Sequence, residues 1–510
     1  MTPRLSAVKI SEKTLARLAK RNNFVLTKEE RRVFCSTIRG LLSSYDRLDA
    51  LSGSTQKQLK INGYLPSRAE NPYNAWAWKC SIRFGNRRLK NKKLIGKKIA
   101  IKDNILVANL PLRNGSQMFE GYVPSINATI VSRILQSGGE VAGKSTCENL
   151  CTSGGSHTSY PRPVNNPHDP DYMAGGSSSG SAALLASREV DMAIGGDQAG
   201  SIRIPSSWCG VYGLKPTLGL VPFTGVLGME SVLDYVGPMA NNVEDLALLL
   251  EVIAGRDEQD PRQLNAPDNV PRYSEMLRCD RRKKLRIALI REGFGWEKIS
   301  EQVVDKKVRD AAFSFQDMGE KVNEVSIPIH RDAIHVWSAL CTEGIWSNVV
   351  RPHGLEHHWC GVYDVNLIEN WSRALKSKGN KLAETAKMIG ILGDYIADRF
   401  EGKQYALAHN LRNKIIQSYD NVLNDYDLLV MPTTPQRAQL LKGRRNLEWS
   451  IKASMNNLQN TCAFDVSGHP ALSVPCGFVD GLPVGMMLIG RYYDETTILR
   501  AALTFERKES

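Results

Sequence analysis

The stretch Gly175–Gly210, GGSSSGSAALLASREVDMAIGGDQAGSIRIPSSWCG, decides the fold of this chain. A Gly/Ser run such as GGSSSGS is by composition usually a flexible loop. Here an apolar segment, AALLA, follows the run directly, and a strand-like DMAI leads into a second glycine cluster. The core tolerates Arg203 only if the arginine pairs with a carboxylate such as Asp197. The pattern therefore indicates a buried, ordered arrangement rather than a linker.

The second glycine cluster, DQAGS, has the residue types of an acyl-transfer site. Glycines let successive backbone N–H groups converge on one point, as an oxyanion hole requires. Ser201 ends this turn, and a serine nucleophile needs a base. No G-x-S-x-G elbow or Ser-His-Asp arrangement is evident in the motif, which leaves a Ser-Lys variant with a buried, neutral lysine. Lys102, in the apolar KIAIKDNI, is the candidate, although a surface lysine on a half-exposed strand fits that pattern equally well.

This block resembles the signature of the amidase signature family, and the match runs on through YGLKPT, Tyr212–Thr217. The resemblance implies a Ser-Ser-Lys triad that acts on amides. By motif, Lys102 is the base, Ser177 is the bridging serine after a cis peptide bond, and Ser201 is the nucleophile.

The resemblance also implies roles for residues around the triad. The backbone N–H groups that hold the oxyanion are those of Gln198, Ala199, Gly200 and Ser201, and Ser153 joins the substrate-binding group. The supporting residues are an ion pair, Asp197 with Arg203, and Ser178, which we expect to cap a helix N-terminus.

One position departs from the family pattern. The family commonly has Gly-Gly before the nucleophile, and this chain has Ala199-Gly200. A methyl group disfavours the left-handed backbone angles that glycine accepts. If the turn requires a positive φ at residue 199, the oxyanion hole is distorted; otherwise Ala199 only narrows the acyl pocket.

The resemblance covers nearly the whole chain and is closest in wording to the enantioselective amidases associated with nitrile hydratases. ENPYNAW, KSTCENLCTSGGSHTS, YDLLVMPTTP and SGHPALSVPCGFVDGLPVGMMLIG carry it. The match is weaker within residues 290–350 and 440–455.

Strands alternate with helices from Lys97 onward, which predicts an α/β protein. The expected architecture is the amidase signature fold, a central mixed β-sheet flanked by helices on both faces. We predict an N-terminal helical segment over 1–70 and an α/β domain over 71–510, with a mostly helical insertion at about 295–425. In the first segment Ser11 caps one helix, and Thr27 with Glu30 forms a capping box. Pro66–Trp78 breaks the pattern and is interpreted as a linker.

The distribution of basic residues bears on whether the protein binds nucleic acid. The chain has 66 basic and 53 acidic residues, a net charge of +13. Its basic clusters, Arg87–Lys98, Arg281–Arg286 and Lys442–Arg445, are not interleaved with aromatic residues, which favours solvated faces over nucleic-acid binding.

Cysteine and histidine spacing predicts neither a metal site nor a cofactor. Cys147 and Cys151 form a C-x3-C without a second pair, which is a poor zinc signal. The other cluster lacks further ligands at usable spacing: His353, His357, His358 and Cys360. Reduced thiols in a cytosolic protein are the expectation.

The N-terminus lacks the apolar core of a secretory signal, and no apolar run reaches the roughly 18 residues of a membrane span. These features predict a cytoplasmic protein that does not enter the membrane. The resemblance implies a homodimer and a small-molecule amide substrate.

The leading functional hypothesis is a serine hydrolase that cleaves carboxamides to carboxylic acid and ammonia or amine through an acyl-enzyme on Ser201. One alternative is the A-type subunit of a glutamine-dependent tRNA amidotransferase. Another is a catalytically silent binding protein on the same fold. The intact Lys102, Ser177 and Ser201 argue against the silent protein.

Overall fold

The computed structural model describes residues 10–52, 61–278, 284–350, 363–443 and 446–509. Several residues of interest in the sequence lie outside these ranges: His353, His357, His358, Cys360, Arg281–Lys283 and Arg444–Arg445. The chain divides into two compact units, Met1–Lys60 and Ile61–Ser510.

The first unit contains two helices, α1 (Glu12–Arg21) and α2 (Lys28–Ser52). The Ser11 hydroxyl accepts a hydrogen bond from the Thr14 N–H at 3.1 Å and caps α1, as predicted. The predicted capping box precedes α2: the Thr27 N–H donates to the Glu30 carboxylate at 2.7 Å, and the Glu30 N–H donates to the Thr27 hydroxyl at 3.1 Å. These local bonds satisfy backbone donors that the helices leave free.

The second unit is built on one mixed sheet of eleven strands, in the order β1-β3-β2-β4-β6-β5-β10-β11-β9-β7-β8. The strands are β1 (Trp76–Ile82), β2 (Lys98–Lys102), β3 (Glu140–Ser145), β4 (Met192–Asp197), β5 (Tyr212–Lys215), β6 (Tyr235–Ala240), β7 (Arg286–Ile290), β8 (Lys321–Val325), β9 (Leu428–Pro432), β10 (Ala471–Val479) and β11 (Leu482–Ile489). Helices flank this sheet, which confirms the predicted fold class.

The helices of the second unit are α3 (Thr129–Gln136), α4 (Ser179–Ala186), α5 (Arg203–Cys209), α6 (Val243–Ile253), α7 (Tyr273–Met276), α8 (Gln302–Phe313), α9 (Ala333–Ile345), α10 (Val365–Lys378), α11 (Glu384–Phe400), α12 (Lys403–Asp425), α13 (Leu447–Met455), α14 (Cys462–Ser467) and α15 (Glu495–Glu509). Among the described residues, none of the helices is both long and apolar enough to cross a bilayer.

Two strands lie where the sequence patterns predict none. The interpretation of Pro66–Trp78 as a linker is wrong at its end, because β1 begins at Trp76 and pairs antiparallel with β3. Among the described residues of the segment at about 295–425, most are helical, but β8 is a strand that pairs in parallel with β7. β1 and β8 are the edge strands of the sheet, and each pairs with one other strand. Because that pairing joins segments apart in the chain, the local sequence pattern does not reveal it.

Three neighbouring parallel strands, β2, β3 and β4, bring polar residues together at one edge of the sheet. β2 pairs in parallel with both β3 and β4, so the carboxyl ends of all three strands meet at one edge. Lys102, Ser145 and Asp197 are the last residues of these strands. Open α/β sheets bind ligands at this edge.

The serine-rich run leads into α4, which lies in the core. All residues from Ser179 to Leu185 are buried. AALLA is apolar on every side, and a helix of that kind is stable only when surrounded by protein. The helix therefore holds the preceding serines at the edge of the sheet.

A buried histidine makes the stability of this unit depend on pH. In His330, Nδ1 lies 2.8 Å from the Tyr419 hydroxyl and Nε2 lies 3.3 Å from Asn460 Oδ1. Burial lowers the pKa of His330 from 6.5 to about 4. Between these values the unfolded chain binds a proton that the folded chain does not, so folding stability falls as the pH falls through that window.

We expect a His330→Gln variant to lose this pH dependence. The free energy of unfolding of the wild type should fall by up to about 1.4 kcal/mol more per pH unit than that of the variant between pH 6.5 and about 4. Urea unfolding at several pH values measures the difference. Parallel pH profiles for the two proteins would contradict it.

Candidate active site

Lys102 is fully buried at the carboxyl end of β2. Its side-chain nitrogen donates to the Ser177 hydroxyl at 2.7 Å and to the Gly196 carbonyl at 3.0 Å. The neighbouring carboxylate, Asp103, pairs instead with Lys144 at 3.1 Å. Within the described chain Lys102 therefore has no carboxylate partner.

Ser178, the residue between Ser177 and helix α4, links the segments that carry Ser177 and Ser201. The peptide bond between Gly176 and Ser177 is cis, as the family resemblance implies. The Ser178 N–H donates to the Ser201 carbonyl at 3.2 Å. The segment that carries the bridging serine is therefore tied directly to the segment that carries Ser201.

Ser178 does not cap α4, contrary to expectation. It occupies the N-cap position, but its side chain makes no capping bond. Its hydroxyl instead donates to the Gly196 carbonyl and accepts from the Gly196 N–H, both at 3.2 Å. Strand β4 lies close enough to compete for the hydroxyl, which local sequence does not reveal.

The predicted ion pair, Asp197 with Arg203, is present and fully buried. The Asp197 carboxylate accepts from Arg203 Nε and Nη2 at 3.0 Å each, from the Gly200 N–H at 2.5 Å and from the Ile202 N–H at 3.0 Å. Arg203 also donates to Asp465 at 2.7 Å. One carboxylate thus fixes the turn that precedes α5.

The ionisable side chains of this cluster, Asp197, Arg203 and Asp465, shift the pKa values of one another. Burial opposes ionisation of Asp197, but the charge and hydrogen bonds of Arg203 outweigh it and lower the pKa of Asp197. Burial and the negative charge of Asp197 raise the pKa of Asp465 well above its usual range. This shift favours the protonated form of Asp465.

The backbone carbonyls of the turn are held by residues far away in sequence. Trp337 Nε1 donates to the Gln198 carbonyl at 2.7 Å, and the Thr461 hydroxyl donates to the Ala199 carbonyl at 2.5 Å. None of the described residues accepts a hydrogen bond from the N–H of Gln198, Ala199 or Ser201. The Gly200 N–H differs from expectation, because it is already bonded to Asp197 and cannot serve the oxyanion hole.

The turn tolerates alanine at residue 199. Ala199 is not among the residues with positive φ, whereas Gly200 has φ +132°. A Cβ atom at Gly200 would also collide with the Thr461 side chain. The left-handed conformation is needed at only one of the two positions, so Ala199 does not distort the turn.

A pocket opens beside Ser201. Its lining combines a polar end with an apolar wall: Thr152, Ser153, Gln198, Ser201 and Ser454, then Cys151, Ala199, Met229, Trp337, Cys341, Ile345, Ile389, Met455 and Leu458, with Gly154. A lining of this kind suits a small ligand with an apolar body and a polar group.

The side-chain amide of Gln198 is unsatisfied. Gln198 is 3% exposed, and neither its nitrogen nor its oxygen has a hydrogen-bond partner among the described residues. A buried amide without partners costs about 1–3 kcal/mol per group. The amide therefore faces the pocket with both a donor and an acceptor available to a ligand.

The structure brings the predicted residues together and adds four features. The sequence does not predict Trp337, Thr461, the side chain of Gln198 or the position of Cys151 in the pocket. Only Cys151 has a visible signal, its spacing from Cys147, and that spacing suggests a weak zinc motif instead. No group of side chains suited to a metal ion occurs among the described residues.

Comparison with known proteins identifies the family. The amidase family profile matches residues 74–499, and the chain belongs to the amidase signature family of enzymes that act on amides. It is 42% identical to an enantioselective amidase of Rhodococcus rhodochrous, over 86% of this chain and 84% of that one. It is 38% identical to the A subunit of glutamyl-tRNA(Gln) amidotransferase of Methanosarcina mazei, over 88% of this chain and 91% of that one.

A solved structure agrees with this assignment. The A subunit of glutamyl-tRNA(Gln) amidotransferase from Thermotoga maritima superposes with a TM-score of 0.69 at 28% identity, over 86% of this chain and 88% of that chain. The resemblance inferred from the sequence motifs is confirmed.

We expect the two neighbouring turn residues to respond differently to substitution. Ala199→Gly should change the free energy of unfolding by no more than about 1 kcal/mol. Gly200→Ala should destabilise by about 1–3 kcal/mol, because a non-glycine residue is strained at that φ and its methyl group collides with Thr461. Denaturant unfolding of both variants is the measurement. Equal effects would contradict the backbone assignment.

Proposed function

We propose that this protein is a serine hydrolase that cleaves carboxamides to carboxylic acid and ammonia or amine through an acyl-enzyme on Ser201. The observation that carries the proposal is the 2.7 Å hydrogen bond between the buried Lys102 and Ser177, next to a pocket lined by Ser201. A buried amine on a serine hydroxyl is the arrangement that activates a nucleophile without histidine.

The reaction follows from these contacts. Neutral Lys102 takes the proton of Ser177, which takes the proton of Ser201, while Ser201 Oγ attacks the amide carbon. The N–H groups of Gln198, Ala199 and Ser201 are the donors for the oxyanion. The relayed proton returns to the leaving nitrogen as the C–N bond breaks. Water then attacks the acyl-enzyme by the same relay and releases the acid.

The pocket favours amides with an apolar acyl group. Met229, Trp337 and Leu458 contribute to an apolar wall that suits an aryl or branched acyl group. Ser153 and Gln198 form the polar end, where the carboxamide would bind. The 42% identical relative named an enantioselective amidase supports this choice.

A second candidate is the A-type subunit of a tRNA amidotransferase. The 38% identity to such a protein over most of both chains favours it. In that case the protein would release ammonia from glutamine and would require partner subunits. For the amidase, we propose a cytoplasmic homodimer that functions alone.

We expect substitutions of the triad to abolish ammonia release. Ser201→Ala, Ser177→Ala and Lys102→Met should each lower kcat by at least about a thousandfold on benzamide, propionamide or 2-phenylpropionamide. Ser207→Ala is the matched control, because Ser207 is a buried serine bonded to Thr434 outside the pocket.

The same assay separates the two candidates. Turnover of free amides by the isolated protein supports the hydrolase, and turnover of glutamine only with partner subunits supports the second candidate. Rates that are unchanged in the Ser201→Ala variant would refute both mechanisms.

We expect Gln198→Leu to raise KM more than it lowers kcat. The loss of one substrate hydrogen bond corresponds to about a tenfold change in affinity. Gln459→Leu is the control, because Gln459 is also buried with an unpartnered side-chain oxygen among the described residues but does not line the pocket. Equal KM values for the two variants would show that Gln198 does not bind substrate.

A further inference from the structure

Two cysteines lie at the catalytic pocket, and the proposed mechanism uses neither. Cys147 and Cys151 both direct their thiols at a single oxygen, Asn114 Oδ1, at 3.6 and 3.4 Å. Each of these two thiols also shifts the pKa of the other. One buried amide oxygen therefore contacts both sulfur atoms.

Of these two cysteines, Cys151 is the one that a small molecule can reach. It lines the pocket together with Ser153 and Ser201, whereas Cys147 is fully buried behind it. Lys102 and Ser177, which are bonded to each other at 2.7 Å, lie close enough to the Cys151 sulfur to lower its pKa. A ligand or reagent that enters the pocket meets this thiol at the proton relay.

The surroundings make Cys151 reactive. The hydrogen bond with Cys147 and, against the effect of burial, the positive charge of Lys102 lower the pKa of Cys151 to about 6. At Cys80 and Cys476, by contrast, burial is the largest influence, and it raises the pKa of each thiol to about 12. The thiolate is the nucleophilic form of cysteine, so oxidation is selective for such a site.

A reactive thiolate is compatible with a lysine base. Cys151 thiol with Lys102 amine, and Cys151 thiolate with Lys102 ammonium, hold the same number of protons. The pair exchanges one proton between sulfur and nitrogen. The first form supports proton transfer from Ser177, and the second exposes a nucleophilic sulfur to the pocket.

We propose that Cys151 is a peroxide-reactive site and that Cys147 resolves its oxidised form, so that oxidation turns the hydrolase off reversibly. The loss of activity rests on the proposed function. The Cys151 thiolate attacks one oxygen of hydrogen peroxide, the O–O bond breaks, and sulfenic acid forms with release of hydroxide. The Cys147 thiol then attacks the sulfenic sulfur, which gives a Cys147–Cys151 disulfide and water. A dithiol supplies the two electrons that reverse the reaction.

Oxidation would stop catalysis for two reasons. An added oxygen on Cys151 projects into the pocket beside Ser201 or towards Ser177, where the substrate carboxamide must fit. The disulfide also removes both thiols from Asn114 and pulls the Cys151 sulfur away from Lys102. Either product changes the surroundings of the relay without altering its three residues.

The test treats the full-length protein with hydrogen peroxide and follows amide hydrolysis together with intact mass and peptide mapping. We expect at least about a tenfold loss of activity, a product lighter by two hydrogen atoms with a Cys147–Cys151 crosslink, and recovery with dithiothreitol. Saturating amide ligand should slow the reaction, because it covers Cys151.

Variants test which cysteine reacts with peroxide and which one resolves the oxidised form. The amide hydrolysis rate of each treated variant is compared with the rate of the same variant before treatment. Cys151→Ala should resist peroxide, and Cys147→Ala should be inactivated, form sulfinic acid at Cys151 and not recover. Cys476→Ala is the control and should behave as the wild type, since Cys476 is buried with a raised pKa.

The readouts separate this inference from the proposed function. Mass and mapping report on the thiols even if no amide is hydrolysed. Oxidation at other cysteines, inactivation of Cys151→Ala at the wild-type rate, or irreversible sulfinic acid at Cys151 in the wild type would each overturn the inference, while amidase activity could persist.

Discussion

The buried ion pair between Asp197 and Arg203 is the interaction on which the rest of the site depends. Asp197 ends β4 and binds the N–H groups of Gly200 and Ile202, so it sets the path of the turn that carries Ser201. Arg203 also donates to the Thr461 carbonyl at 2.9 Å and joins this turn to α14. Removal of either partner would leave an uncompensated charge in the core, which is far costlier than the loss of a surface pair.

The same region shows how a buried site keeps its charges balanced. Asp465 retains its proton beside Asp197 and Arg203. Burial lowers the pKa of Lys215 to about 7, and its nitrogen lies 3.8 Å from the centre of the Tyr235 ring. Changes of protonation in the interior replace ion pairs that would be expensive to desolvate.

Catalytic groups and pocket walls come from different parts of the fold. Of the residues in the proposed relay, Lys102 ends β2, Ser177 precedes α4, and Ser201 lies in the turn between β4 and α5. The apolar wall comes largely from helices α9 and α11 and the end of α13, which include Trp337 and Ile389. Substitutions in these helices can change which acyl group the pocket accepts without moving the proposed relay. Family membership alone therefore does not determine the substrate.

The sequence by itself determined the fold class and the capping box at Thr27 and predicted part of the central sheet, because each depends on local pattern or on a continuous motif. The proposed relay residues come from the resemblance of that motif to the family signature. The tertiary structure alone decided which backbone N–H groups of the turn are free, because Asp197 takes that of Gly200. It also decided that Ala199 is tolerated and that Trp337, Thr461 and Cys151 reach the site. Those contacts join segments far apart in the chain, and only the packing of the sheet and its helices brings them within hydrogen-bonding distance.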